Sequence, residues 1–401
     1  MTVTVYRGTH QIGGCVTEYR TKTTRILVDL GSPLPSSPDQ ETIRLPGVTE
    51  PGEPCQGVFF THYHGDHMGE IHRVLTDVPL WMGETAREIA KVLYLHLRQI
   101  PDDRVHQTLD ALERTCTFRP GKAVTVGDLK ITPIMDDHSA FDAYQFLIEG
   151  EGVRVLHTGD FRTHGPRGKG LIKALRRYVG QVDWVVCEGT TLSRLGEKFL
   201  TERELGQVAR KIMGRYRYVF ALCSSTNIDR IATLYRANPH GRLTLCDRYQ
   251  KEVLNVVQRR HGSKSSFYRF DRVWFPYSEV FPSRLWECAS QQGFLMLVRP
   301  TRRFRDVMER FRENSVILYS QWSGYREGPQ ADPRIQQFLD GFPVIPLHTS
   351  GHADPATLRE LCQLVNPHGV IPIHGERPEA FRELLPETQV VCLEDGECLS
   401  L

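Results

Sequence analysis

From Thr61 to Gly69 the chain reads Thr-His-Tyr-His-Gly-Asp-His-Met-Gly, which puts four potential metal ligands, His62, His64, Asp66 and His67, within six residues. A short apolar run, 56–60, ends directly before them. Side chains of an extended strand alternate faces, so His62 and His64 point the same way and suit one cation. Past the turn at Gly65, Asp66 and His67 emerge in a new direction and suit a second. Imidazole and carboxylate donors favour zinc, with manganese the second candidate where more oxygen ligands join. One histidine alone is most often structural; this density of ligands at a strand end reads as a metal motif.

A single short motif cannot complete two metal sites, so further ligands must come from later in the chain. His138 (in Asp136-Asp137-His138-Ser139), Asp160 (in His157-Thr158-Gly159-Asp160) and His374 (in Ile373-His374-Gly375) each follow a predicted strand. Loops held at the ends of rigid strands are where functional groups concentrate. Around these motifs the first third of the chain reads as short strands, with a helix over 84–98. Further strands follow over 123–126, 129–134, 144–148 and 153–157, and an α/β alternation runs from about residue 170 onward. Strands first and α/β units later predict layered sheets flanked by helices, with an α/β insertion.

In order, His62, His64, Asp66, His67, His138 and Asp160 resemble the successive motifs of the metallo-β-lactamase superfamily. Asp29, in Leu27-Val28-Asp29-Leu30-Gly31, resembles its early strand-end aspartate. Glu188 (in Cys187-Glu188-Gly189), His352 (in Gly351-His352-Ala353) and His374 resemble three further motifs of the nucleic-acid-processing β-CASP branch. The resemblance spans Gly8 to His374. It implies an α/β fold: an αββα sandwich formed by residues 1–191 and 348–401, with an inserted β-CASP domain over 192–347. It implies one zinc on His62, His64 and His138, a second on Asp66, His67 and His374, and Asp160 bridging both. Asp29 would be a hydrogen-bond acceptor behind the ligands. A water acidified by both cations would attack phosphorus, with Asp66 counted among the catalytic groups and His352 serving the leaving oxygen. Glu188 would orient His352 and raise its pKa. Taken as residues alone, Glu188 also suits a helix cap and His352 an ordinary loop histidine.

Composition sets the remaining expectations. Of 401 residues, 40% are apolar and 24% charged, enough to build a sizeable core. The first residues lack a signal-peptide pattern and no apolar run is long enough for a membrane span, so a cytoplasmic protein without membrane partners is expected. The ten cysteines are scattered singly, which suits free thiols rather than a disulfide framework. Net charge is +2, yet between residues 194 and 312 there are 24 Lys and Arg against 11 Asp and Glu. Such a basic segment suggests a nucleic-acid partner. Ser224, Ser225 and Thr226, before a predicted helix, suit phosphate oxygens but equally a plain helix cap. Arg302 and Arg303 suit backbone phosphates, with Phe304 stacking on a base, or simply start a helix. Histidine at 374 resembles the RNA-processing members, implying a ribonuclease acting on single-stranded RNA. A DNA nuclease acting on single strands and an inactive nucleic-acid-binding scaffold are the alternatives, and a homo-oligomer is left open.

Overall fold

The computed structural model describes residues 1–35, 37, 40–194, 196, 199–275, 283–328 and 330–401. They fall into two compact units: Met1–Thr163 with Arg167–Lys198 and Gly351–Leu401, and His164–Pro166 with Phe199–Ser350. Among the described residues no helix is long and apolar enough to cross a membrane.

In the first unit, runs such as Val3-Thr4-Val5-Tyr6 and Ile26-Leu27-Val28 form strands because branched and aromatic side chains fit a pleated, buried surface. Thr2–Arg7, Val16–Arg20 and Arg25–Val28 pair antiparallel, and Gly57–Phe59, Leu80–Gly83 and Cys116–Phe118 extend that sheet in parallel. Cys398–Ser400 pairs at the edge beside Thr2–Arg7. The second sheet runs in the order Gln389–Val390, Gly369–Ile373, Trp184–Glu188, Val153–His157, Tyr144–Gly150, Leu129–Met135 and Val124–Val126. Val153–His157, Trp184–Glu188 and Gly369–Ile373 are mutually parallel, with Glu188 opposite Ile373, so their C-terminal ends open at one edge of the sheet.

The two sheets face each other across one apolar core. Val3, Val5, Ile26, Val28 and Phe59 of the first meet Ile131, Phe146, Ile148, Val155 and Ile371 of the second. The far face of the second sheet, including Leu156, Val185 and Val370, packs on Leu171, Leu361, Val365 and Phe381 of the flanking helices. On the first sheet, helix Glu84–Leu97 packs against Leu80–Gly83 and against helix Asp103–Arg114. The layers are therefore helix, sheet, sheet, helix. Strands buried on both faces carry nearly continuous apolar runs, as parallel sheets require.

The second unit is built on a parallel sheet ordered Val273–Trp274, Leu243–Leu245, Phe294–Val298, Tyr218–Leu222, Ser315–Tyr319 and Val344–Pro346. Phe220, Met296 and Ile317 on one face join Trp286, Phe304, Met308 and Phe338 of the covering helices. Phe304 is buried in this core, which corrects the expectation that it stacks on a base: its helical phase turns it inward while Arg302 and Arg303 remain exposed. Asn227 caps helix Ile228–Ala237 by accepting from the Arg230 N–H, so Ser224, Ser225 and Thr226 lie one to three residues ahead of the cap. The Ser225 hydroxyl accepts from Gln250 Nε2 at 3.3 Å.

Arg230, fully buried, donates to both Glu202 oxygens and to the Ser320 hydroxyl at 2.6 Å. Removing one partner of such a pair strands a charge in low dielectric. Glu202→Ala is expected to cost about 3–5 kcal/mol in urea denaturation, whereas a double replacement by Met and Leu should cost markedly less. Equal losses from the two changes would remove the argument.

Candidate metal centre

Strand Gly57–Phe59 stops just before the ligand loop, and helix Gly65–Met68 starts within it. The loop is pinned through its backbone: Leu30 N–H donates to the His67 carbonyl at 2.8 Å, and Cys15 N–H to the Asp66 carbonyl at 3.0 Å. Gly31 permits this closeness, since a Cβ there would lie 1.8 Å from the Asp66 carbonyl oxygen. Asp160 follows strand Val153–His157, Glu188 ends its own strand, His374 follows Gly369–Ile373, and His138 lies beyond Leu129–Met135.

Among the described residues several overlapping groups of ligand atoms result. His62, His64 and His138 form one, and Asp66, His67, Asp160 and His374 another, with all atoms of each group within 4.8 Å of one another. Asp160 reaches across: its Oδ2 lies 3.2 Å from His67 Nε2, 3.6 Å from His374 Nε2, 3.9 Å from His138 Nε2 and 4.0 Å from His62 Nε2. The seven residues predicted as ligands are thus brought together. Ser224, Ser225, Thr226, Arg302 and Arg303 belong to the second unit.

Four of the five imidazoles, those of His62, His67, His138 and His374, are aimed by a partner on the far nitrogen. His67 Nδ1 donates to Asp29 Oδ2 at 2.7 Å, and Asp29 also accepts from the Thr61 N–H and hydroxyl, each at 2.8 Å. His138 Nδ1 donates to the Gly351 carbonyl at 2.7 Å, which leaves the Nε2 lone pair facing the cluster. Thr190 Oγ1 lies 2.8 Å from His374 Nδ1, and Thr61 Oγ1 lies 3.0 Å from His62 Nδ1. Partners of this kind fix tautomer and ring orientation in metal sites. Asp29 was readable in the sequence. Thr61, Thr190 and the Gly351 carbonyl were not, although all three directly adjoin motif residues.

The donor set fits divalent cations. His62 Nε2 and Asp160 Oδ1 are buried without a hydrogen-bond partner, and buried polar atoms are almost always satisfied. Burial pushes His62 and His138 well below the ordinary histidine range and His64 down to about 4, leaving them neutral as ligation requires. Burial also opposes charge on His67, but Asp160 and Asp29 outweigh it and hold that ring well above its usual value. The positive charge those carboxylates demand can come from a proton or from a cation.

His352 sits at the rim, with 21% of its side chain exposed against 2% for Asp160. Its Nδ1 is 3.0 Å from Glu188 Oε2, and the other Glu188 oxygen accepts from the Phe161 N–H at 2.9 Å. Glu188 is therefore engaged with His352 and the Asp160 loop, not with capping the following helix. Burial opposes protonation of His352, yet Glu188 and Asp160 prevail and bring it to about 9. His157, by contrast, meets Tyr19 Oη at 3.0 Å, and burial takes it down to about 3.

A Beta-lactamase superfamily domain model matches residues 24–215, and a Zn-dependent metallo-hydrolase RNA specificity domain model matches 344–392. Through these two matches and the ordered ligand motifs the chain is similar to the metallo-β-lactamase superfamily and its ribonuclease J-like β-CASP branch. Within that family it is 24% identical over 346 residues to ribonuclease J of Mycoplasma pneumoniae, covering 80% of this chain and 58% of the relative. It is 23% identical over 378 residues to ribonuclease J of Sinorhizobium meliloti, covering 88% and 64%. The chain thus spans about three fifths of the length of these curated relatives. A crystal structure of a protein of unknown function from Enterococcus faecalis V583 superposes with a TM-score of 0.80 at 20% identity, covering 100% of this chain and 99% of that one, and so shares the fold.

Asp29 adopts φ 62°, a conformation that asparagine tolerates well. Asp29→Asn should therefore keep the backbone while exchanging one of the two carboxylate acceptors for a donor. The expected outcome is roughly 10–100-fold weaker zinc binding in chelator competition, with an unchanged circular dichroism spectrum. Full affinity in the variant would show that Asp29 does not aim His67.

Proposed function

We propose that the chain is a metal-dependent phosphodiesterase that cleaves single-stranded RNA. The observation that carries this reading is the pair of ligand groups joined through Asp160, with His352 and Glu188 beside them at the rim. His62, His64 and His138 would hold one divalent cation, and Asp66, His67 and His374 a second, with Asp160 shared; zinc suits these donors best and manganese is the second candidate. Such cations supply Lewis acidity toward phosphoryl oxygens and lower the pKa of water.

The remaining work falls to the protein. Asp29, Thr61, Thr190 and the Gly351 carbonyl hold the imidazoles in their ligating tautomers. Asp66 and Asp160 supply the anionic charge that concentrates cations in the pocket. His352, kept protonated by Glu188 and open to solvent on one side, is placed to give a proton to the leaving oxygen. The ribonuclease J relatives and the matched RNA specificity domain support RNA as the substrate class. The basic stretch in the inserted domain supports an anionic polymer over a small ester.

The test uses single-stranded RNA labelled at the 5′ or 3′ end, with matched DNA alongside, in zinc or manganese. Asp66→Ala and His64→Ala should abolish cleavage together with metal retention. His352→Ala should lower kcat by about 10²–10⁴-fold while retaining metal. Cleavage that survives in Asp66→Ala, or after exhaustive chelation, would overturn the hydrolytic reading. DNA cut in preference to RNA would overturn the substrate.

A further inference from the structure

We propose that Cys15 supplies a thiolate ligand to the cation held by His67 and His374. This rests on the metal reading above and adds to it a sulfur donor that the motif residues do not include.

Cys15 immediately precedes strand Val16–Arg20, and its backbone is fixed against the ligand loop from both sides. Its N–H donates to the Asp66 carbonyl and its carbonyl accepts from the Gly31 N–H, each at 3.0 Å. Its Sγ and one ring nitrogen from each of His67 and His374 lie within 4.8 Å of one another, and all three residues are buried. Gly8 makes the space: it adopts φ +106°, and a Cβ there would meet the sulfur at 3.3 Å. The Gly8 carbonyl also accepts from the His374 N–H at 2.7 Å, so one glycine seats both the sulfur and the histidine.

A buried cysteine in an apolar core is a small inert filler. This one faces imidazole nitrogens instead, and His67 Nε2 among them is buried with Asp160 Oδ2 at 3.2 Å but without a well-aligned hydrogen bond. Sulfur–zinc and nitrogen–zinc bonds of about 2.3 and 2.0–2.1 Å bring ligands to within roughly 3.5 Å of each other, so closure needs a shift on the order of 1 Å. Ligation breaks the S–H bond, releases the proton to solvent and forms the sulfur–metal bond. A soft donor on this side of the centre favours zinc over manganese there.

Loading the full chain with cobalt(II) tests this independently of activity. Visible ligand-field bands report imidazole and carboxylate coordination, and a near-ultraviolet charge-transfer band reports thiolate. The wild type should show both. Cys15→Ser should lose the near-ultraviolet band while keeping bound cobalt and the visible bands, and Cys116→Ser, at an exposed cysteine, should keep everything. Visible bands without the near-ultraviolet band in the wild type, or a band unchanged in Cys15→Ser, would overturn the proposal and leave the metal reading standing. Failure to bind cobalt at all would overturn both. Should Cys15→Ser fold poorly, the wild-type spectrum and Cys15→Ala still decide.

Discussion

Buried negative charge is the constraint on which this site is built. Asp160 and Glu188 are almost fully enclosed, and Asp66 stands beside them with 17% of its side chain exposed. An ionised carboxylate removed from water without a partner costs several kcal/mol, so positive charge must collect around these three. The histidines divide accordingly. His67 and His352 each touch carboxylates that outweigh burial and drive them toward the protonated form, whereas burial prevails at His62, His64 and His138 and drives them neutral. One side of the centre is thus prepared to accept a cation directly. The other must exchange a proton for it, so occupancy there is linked to proton release.

Holding that arrangement requires backbone that no isolated loop would keep. Asp29 at φ 62° and His374 at φ 52° both occupy the left-handed region, where a residue other than glycine stores on the order of 1 kcal/mol or more. Both follow a strand of the sandwich. The Asp29 N–H donates to the Phe59 carbonyl and the His374 N–H to the Gly8 carbonyl, so neighbouring strands absorb the strain. The left-handed turn redirects each side chain from the sheet's alternating pattern toward the centre. A site on strand ends can keep such geometry because the core beneath is packed on both faces.

The candidate ligands were legible because their chemistry is local. Four of them fall within one short segment, and the others sit beside Gly, Thr or Asp at the ends of apolar runs. Asp29 and Glu188 were legible only through family resemblance, since nothing in Leu-Val-Asp-Leu-Gly by itself distinguishes an acceptor behind a histidine from a turn residue. Thr61 and Thr190 were hidden for a related reason: a threonine hydroxyl gains its role from what lies opposite it, which pairing between distant strands decides. In the fold, helix Asp103–Arg114 and strand Phe294–Val298 escaped a periodicity reading. The helix buries only Val105, Thr108, Ala111 and Leu112, so its apolar stripe is weak. The strand is a short uniform run, which pattern alone does not separate from a buried helical turn.

The basic character of the inserted segment illustrates a subtler limit. Many of its arginines serve the fold: Arg217 donates to the Gln291 carbonyl, Arg236 to that of Ser266, Arg242 to those of Met213 and Tyr216, Arg269 to that of Gly262, and Arg305 to that of Phe338. Arginine suits this because a planar fork of donors can close helix ends and loops that expose unpaired carbonyls. A charge count cannot distinguish such a role from phosphate binding. Yet a carbonyl partner is neutral and leaves the guanidinium charge intact, so these contacts stabilise loops while preserving the arginines' contribution to the field, except at Arg305, which also pairs with Glu309 at 2.8 Å. Arg230, matched by Glu202, is the opposite case and contributes little beyond its surroundings. The attraction of this segment for an anionic polymer therefore depends on how many of its arginines are neutralised by carboxylates, not on how many are hydrogen-bonded.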